Sequence, residues 1–212
     1  MTLRAQAYDK FTERLLSRDI VPGQFVSQRE LVELTGMSLG AVREMIPRLE
    51  ADGLIRTVSH RGLQILSVDI GLIRNAFQLR VILEKEAVRG FVEVATDEEI
   101  AELRERHLEA RDAAQKGVTP ELLASAQQLD WDTHDRMVDC LQNDLISSIY
   151  RVNSIKIRLI RHQDTRMLPE LVVSVMDEHL AVIDAIAGRD ADAAEEALVR
   201  HLGSAIQRAV RI

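Results

Sequence analysis

Residues 130–138 read DWDTHDRMV and set Asp130 and His134 four positions apart. At 3.6 residues per turn, that spacing stacks the two side chains on one face of a helix. A carboxylate and an imidazole so stacked can grip one divalent cation, since zinc, nickel, iron and manganese all accept such donors. Two more histidines follow, His179 in the run EHL and His201 in RHL. All four groups fall in apolar stripes. Leu123, Ala126, Asp130, His134, Met137 and Leu141 step by three or four, as do Val172, Met176, His179, Ile183 and Ile186. Leu198, His201 and Ala205 repeat the pattern.

Three imidazoles and one carboxylate therefore point inward from three helices. Leaving one such group buried without a partner costs on the order of 1–3 kcal/mol. Two arrangements relieve that cost. Each group can be satisfied separately, by a local hydrogen bond or a buried water, or all four can share one ion. The chain has only six histidines, and three at inward positions favour the ion.

These side chains need a frame, and the pattern from Val68 onward is helical to the end. Six helices are expected, over 69–94, 97–116, 119–141, 143–162, 168–187 and 190–211. Their boundaries come from Thr96 with Glu99 as a capping box, from VTP at 118–120, from Asn143, from MLP at 167–169 and from GRD at 188–190. The short connections predict antiparallel neighbours in a bundle.

The N-terminal segment follows a different plan. Leu3, Ala7, Phe11 and Leu15 mark an amphipathic helix, ended by the turn residues VPGQ at 21–24. Ser27 and Glu30 form a capping box for a second helix from Gln28, closed by Gly36. Ser38 caps a third helix from Leu39 to about Asp52, closed by Gly53. Two β-prone runs, LIRTV (54–58) and LQIL (63–66), joined by SHRG, predict a hairpin. Three helices and a hairpin make a winged helix-turn-helix, whose third helix enters the major groove of DNA. Arg43 and Arg48 are the long cations of that helix, Arg29 lies near the start of the one before, and His60 and Arg61 stand at the wing tip. Arginine grips the guanine edge bidentately, at roughly 1–3 kcal/mol of discrimination per good pair. Ser38, at the start of the third helix, joins this DNA-facing set. Pro47 lies inside the helix and removes one backbone donor.

Charge divides the chain the same way. Residues 1–62 hold 9 Lys+Arg against 8 Asp+Glu, while the whole chain has a net charge of −7, so the acidity belongs to the C-terminal body. No apolar run is long enough to span a bilayer, and the N-terminus lacks the apolar region of a secretory signal. The single cysteine, Cys140, cannot form an internal disulfide. A cytoplasmic location without membrane contact is expected.

The run PGQFVSQRELVELTGMSLGAVREMIPRLEADGLI, followed by HRG, resembles the DNA-binding domain of the GntR family of bacterial transcription regulators. The matching parts are PG, S-x-R-E-L, VRE, RLEA-x-GL and the RG of the wing. The resemblance implies that Arg29, Arg43, Arg48 and Gly62 serve at DNA. Ser38, Leu39, Gly40 and Ala41 stand where many members have Ser-Arg-Thr-Pro, so a different operator is implied. The remainder resembles the all-helical, FCD-type effector domain of the FadR branch, nearest the six-helix VanR-like form. That likeness implies a metal held by Asp130, His134, His179 and His201, and a small organic acid held beside it. It implies a pocket arginine from the first effector helix, where Arg80 lies in LRVILE; Asn153 is a further pocket candidate.

The expected fold is mainly α, with a winged helix-turn-helix over 1–67 and a six-helix antiparallel bundle over 68–212. The expected function is a DNA-binding regulator, by family habit a repressor. It would act as a homodimer on a pseudo-palindromic operator and answer to a small carboxylate at a divalent metal, zinc in the first instance. The alternative is a metal-dependent helical-bundle enzyme with a vestigial DNA-binding domain. Little favours it. There is no H-E-x-x-H, Cys140 has no histidine at a matching spacing, and four protein ligands close a tetrahedral zinc site.

Overall fold

The computed structural model describes residues 2–164 and 168–210. Helix α1 (Leu3–Leu16) buries Ala7, Tyr8, Phe11 and Leu15 and leaves Leu3 in water. Helix α2 (Gln28–Thr35) opens on the Ser27–Glu30 capping box and closes on Gly36 in the left-handed region. Helix α3 (Leu39–Ala51) starts at Ser38, whose hydroxyl accepts the Ala41 N–H, and continues through Pro47.

The hairpin is β2 (Ile55–Val58) with β3 (Gly62–Ile65), and a third strand, β1 (Phe25–Val26), pairs with the other edge of β3. All pairings are antiparallel, in the order β1-β3-β2. Two residues carry no alternation, which is why sequence pattern does not reveal β1. Gly62 has φ +92°, and a Cβ there would lie 2.9 Å from the Val26 carbonyl oxygen. The wing therefore needs glycine at this point for backbone reasons.

Residues 66–69 lead into the bundle of α4 (Ile70–Val94), α5 (Asp97–Lys116), α6 (Pro120–Asp139), α7 (Asp144–Asp164), α8 (Val172–Ala187) and α9 (Ala191–Val210). Thr96 and Glu99 form the capping box expected at the start of α5. The helix expected over 168–187 is split: Pro169–Leu171 form a 3₁₀ turn before α8 begins. Met167, in the MLP boundary, and residue 211, in the last expected helix, lie outside the described residues.

Helix α5 packs along α8, and α9 packs along both α4 and α8. Among the described residues, three apolar clusters fill the bundle, and buried polar side chains lie among them. Helix α7 serves both halves of the chain. Leu159 belongs to the winged-helix core with Ile155 packed against that core, while Ile157 and Ile160 belong to the bundle.

Candidate metal centre and DNA-binding surface

Asp130 and His134 lie on α6, His179 on α8 and His201 on α9, each on its buried face, and the bundle brings all four together. One ligand atom from each lies within 4.8 Å of the others. His201 Nε2 is 3.2 Å from His134 Nε2 and 3.3 Å from His179 Nε2, and His179 Nε2 is 3.2 Å from Asp130 Oδ1. None of the four is more than 2% exposed.

The other nitrogen of each imidazole also has a partner. His201 Nδ1 is 2.8 Å from Glu178 Oε2, and Arg208 holds Glu178 with two further hydrogen bonds. His134 Nδ1 lies 2.8 Å from Glu84 Oε2, a close contact that falls short of a well-aligned hydrogen bond. Glu84 Oε1 accepts from Arg80 Nε at 2.6 Å and from the Tyr150 hydroxyl at 2.9 Å. His179 Nδ1 lies 3.0 Å from His107 Nε2.

Burial lowers the pKa of His134 to about 4, and the Arg80 guanidinium pushes the same way against Glu84. Burial likewise takes His201 to about 4 and lowers His179, which His201 depresses further. Burial alone would raise the Glu84 carboxyl, but Arg80 and His134 together hold it well below the usual carboxylate range. The imidazoles are therefore neutral at pH 7, with one ring proton each. A proton on Nδ1 facing Glu84, Glu178 or His107 leaves each Nε2 lone pair directed inward. Three lone pairs and a carboxylate oxygen then converge, an arrangement that a divalent cation relieves. A tetrahedral zinc with bonds of about 2.0–2.1 Å spaces its ligands about 3.3 Å apart, close to the three separations above. The donor set fits such an ion. An octahedral ion on the same four ligands would keep two open positions and would supply there a Lewis-acidic anchor for an anionic oxygen.

A small cavity of about 10 Å³ adjoins His134 and is also lined by Arg80, Trp131, Tyr150, Asn153 and Arg158. Arg80 and Asn153, singled out in the sequence, thus share one cavity with a candidate ligand. Asn153 Nδ2 donates to the Ala76 carbonyl at 2.9 Å. Arg158 lies over the Trp131 ring and pairs with Asp135 at 3.0 Å.

In the winged helix, Arg29 and Arg43 are exposed, and Arg43 Nε donates to Gln28 Oε1 at 3.1 Å. Arg48 is placed differently. Its guanidinium lies over the Tyr8 ring, 3.8 Å from Asp52, and lines a groove with Arg151 and Arg158 of α7. His60 stands at the hairpin tip with φ 61°, and Arg61 covers the Phe25 ring.

His107, Glu84 and Glu178 are not among the residues expected at the site. The signal was present for the first two. His107 continues the stripe Ile100, Leu103, His107 and Ala114, and Glu84 continues Phe77, Arg80, Glu84, Ala87 and Phe91. Glu178 adjoins His179, off the buried stripe, so periodicity could not reveal it.

Two family models match the chain: bacterial regulatory proteins of the gntR family over residues 3–65, and the FCD domain over residues 75–204. A relative named Nta operon transcriptional regulator, from Aminobacter aminovorans, is 29% identical over 183 residues, 85% of this chain and 82% of that protein. The HTH-type transcriptional repressor RspR of Escherichia coli (strain K12) is 26% identical over 199 residues, 89% of this chain and 83% of its own. The solved structure of E. coli McbR/YncC superposes with a TM-score of 0.76 at 18% identity, covering 98% of this chain and 96% of that one, which shows the shared fold.

Proposed function

The chain belongs to the GntR family of DNA-binding transcriptional regulators, with an FCD domain behind its winged helix, and we propose that it is a repressor whose operator affinity is set by a small organic acid bound at a metal centre. The observation that carries this reading is the convergence of Asp130, His134, His179 and His201 beside a cavity lined by Arg80 and Asn153. Residues 1–67 read DNA and residues 68–212 bind metal and effector. At DNA, Arg29 and Arg43, with Ser38 at the start of α3 and His60, Arg61 and Gly62 of the wing, make the contacts. Arg48 contributes from the edge of that surface if it leaves Tyr8.

Asp130, His134, His179 and His201 hold the ion, with zinc first and nickel, iron or manganese as alternatives. Arg80 offers a guanidinium for the acid's carboxylate, and Asn153 a side-chain amide. The route to DNA is α7. Tyr150, Asn153 and Arg158 line the cavity, while Leu159, farther along the same helix, is buried in the winged-helix core. The cavity of about 10 Å³ has room for about one water, so an acid enters by displacing α7, and the winged helix moves with it. Homodimerisation sets the spacing of two recognition helices over a pseudo-palindrome. Ile82 on α4 and Leu145 and Ile149 on α7 leave large apolar side chains in water for a second copy to cover.

The test begins with affinity sequencing of the zinc-loaded protein on genomic fragments. A few sharp sites sharing a palindrome are expected. Titration of one site with a panel of small mono- and dicarboxylates should find an acid that weakens binding by about 5–150-fold, and His134→Ala should abolish the response. Salt-sensitive binding without sites would refute specific regulation. Sites whose occupancy no acid alters would refute the effector reading alone.

A further inference from the structure

His107 lies outside the four-residue donor set, yet it is fully buried, and a buried imidazole must place both of its nitrogens. Its Nδ1 is 2.7 Å from the Leu103 carbonyl oxygen, one turn earlier on α5. A carbonyl can only accept, so the proton of a neutral His107 sits on Nδ1. Nε2 is then a bare acceptor. Among the described residues, two groups approach it: His179 Nδ1 at 3.0 Å and Thr133 Oγ1 at 3.4 Å. The Thr133 hydroxyl already donates to the Leu129 carbonyl at 2.7 Å. The acceptor therefore falls to His179, whose proton is drawn to Nδ1. That leaves the Nε2 lone pair of His179 facing Asp130 and His201.

We propose that His107 is a positioning residue for the metal centre: the Leu103 carbonyl sets its tautomer, and through it the tautomer and ring orientation of His179. The chain Leu103 C=O, His107, His179 does for α8 what Glu84 does for His134 and Glu178 for His201. Its logic differs from theirs, because the orienting group is neutral. A carboxylate beside a ligand adds negative charge to the site, whereas His107 orients without adding any. With Asp130 in the donor set and Glu84 and Glu178 behind it, a third supporting carboxylate would raise the buried negative charge further. The inference rests on the metal reading, and the experiment separates the two.

Long-range ¹H–¹⁵N NMR of the full chain, without and with zinc, reports which ring nitrogen of each histidine carries the proton. His107 and His179 are both expected as Nδ1–H tautomers, and His107 as Nε2–H would overturn the proposal without any variant. Zinc affinity is then measured by chelator competition. His107→Leu removes the acceptor at similar volume and should weaken zinc by about 10–100-fold, the usual effect of losing an orienting partner. His107→Gln supplies a carbonyl oxygen near the position of Nε2 and should restore affinity to within about threefold of wild type. A role limited to packing would order these two the other way, with leucine the milder change. Equal zinc affinity in wild type and His107→Leu would also overturn the proposal. A wild type that binds no zinc, with the tautomers as assigned, would overturn the metal reading and the positioning role with it.

Discussion

Glu84→Gln is the substitution that most sharply tests how the buried network is balanced. Glu84 is fully buried and Arg80 is 4% exposed, so the pair has almost no access to water. One carboxylate oxygen takes Arg80 Nε and the Tyr150 hydroxyl, and the other faces His134 Nδ1. Glutamine keeps the shape but offers a single acceptor oxygen. Turned toward Arg80 and Tyr150, it aims its NH₂ at the His134 N–H; turned the other way, it aims that NH₂ at a guanidinium. Either orientation leaves Arg80 without its neutralising charge. Breaking a buried pair on one side costs about 3–5 kcal/mol, against a typical total stability of 5–15 kcal/mol for a protein of this kind. Urea denaturation of the zinc-free protein should therefore show a loss of about 3–5 kcal/mol. Removing the charge from both sides, as Glu84→Gln with Arg80→Met, should recover part of that loss. In the orientation that satisfies Arg80, the amide also drives the His134 proton to Nε2, so zinc affinity should fall by about 10–100-fold. A loss below about 1 kcal/mol with unchanged zinc affinity would refute the assignment of Glu84 as counter-ion and orienting group.

The remaining expectations concern the ion, DNA and pH. Zinc at 100 times its Kd should raise unfolding free energy by about 2.7 kcal/mol, and His201→Ala should remove that gain in the same denaturation experiment. Arg43→Ala should weaken operator binding in a fluorescence anisotropy titration by roughly 5–150-fold, the worth of about 1–3 kcal/mol of base contact; unchanged affinity would displace α3 from the major groove. The zinc-free protein should lose stability as pH falls. Burial lowers His107, His134 and His201 to about 4 in the folded state, below the ordinary value of about 6.5. Between those values the unfolded chain takes up protons that the folded chain refuses. The stability is thus complete above pH 6.5 and is lost as pH drops toward 4, by on the order of 3 kcal/mol per imidazole. A melting temperature that stays flat from pH 7 to pH 4 would contradict the burial of these rings as neutral groups.

Much of the arrangement was legible because helices repeat. The stripe through Asp130 and His134 and those through His179 and His201 told which way each group points, and α4 to α9 fall within a few residues of the expected ranges. What periodicity cannot supply is which inward groups meet. His107 is in phase on α5 yet sits behind His179 rather than beside the other donors, and only the crossing of α5 with α8 decides that. Glu178 illustrates the opposite limit: next to His179 and off the buried stripe, it reaches His201 because α9 runs alongside α8. Strand β1 was hidden by its length, and Gly62 owes its necessity to the Val26 carbonyl that β1 brings against it. Arg48 carries a sequence pattern associated with DNA, but its long side chain folds back over Tyr8, a contact no local rule foretells.

The most direct test of the metal centre is a crystal of the zinc-loaded protein measured above and below the zinc absorption edge. One anomalous peak is expected per chain, about 2.0–2.2 Å from Nε2 of His134, His179 and His201 and from a carboxylate oxygen of Asp130. A peak elsewhere, or four ordered side chains with no peak among them, would contradict the account.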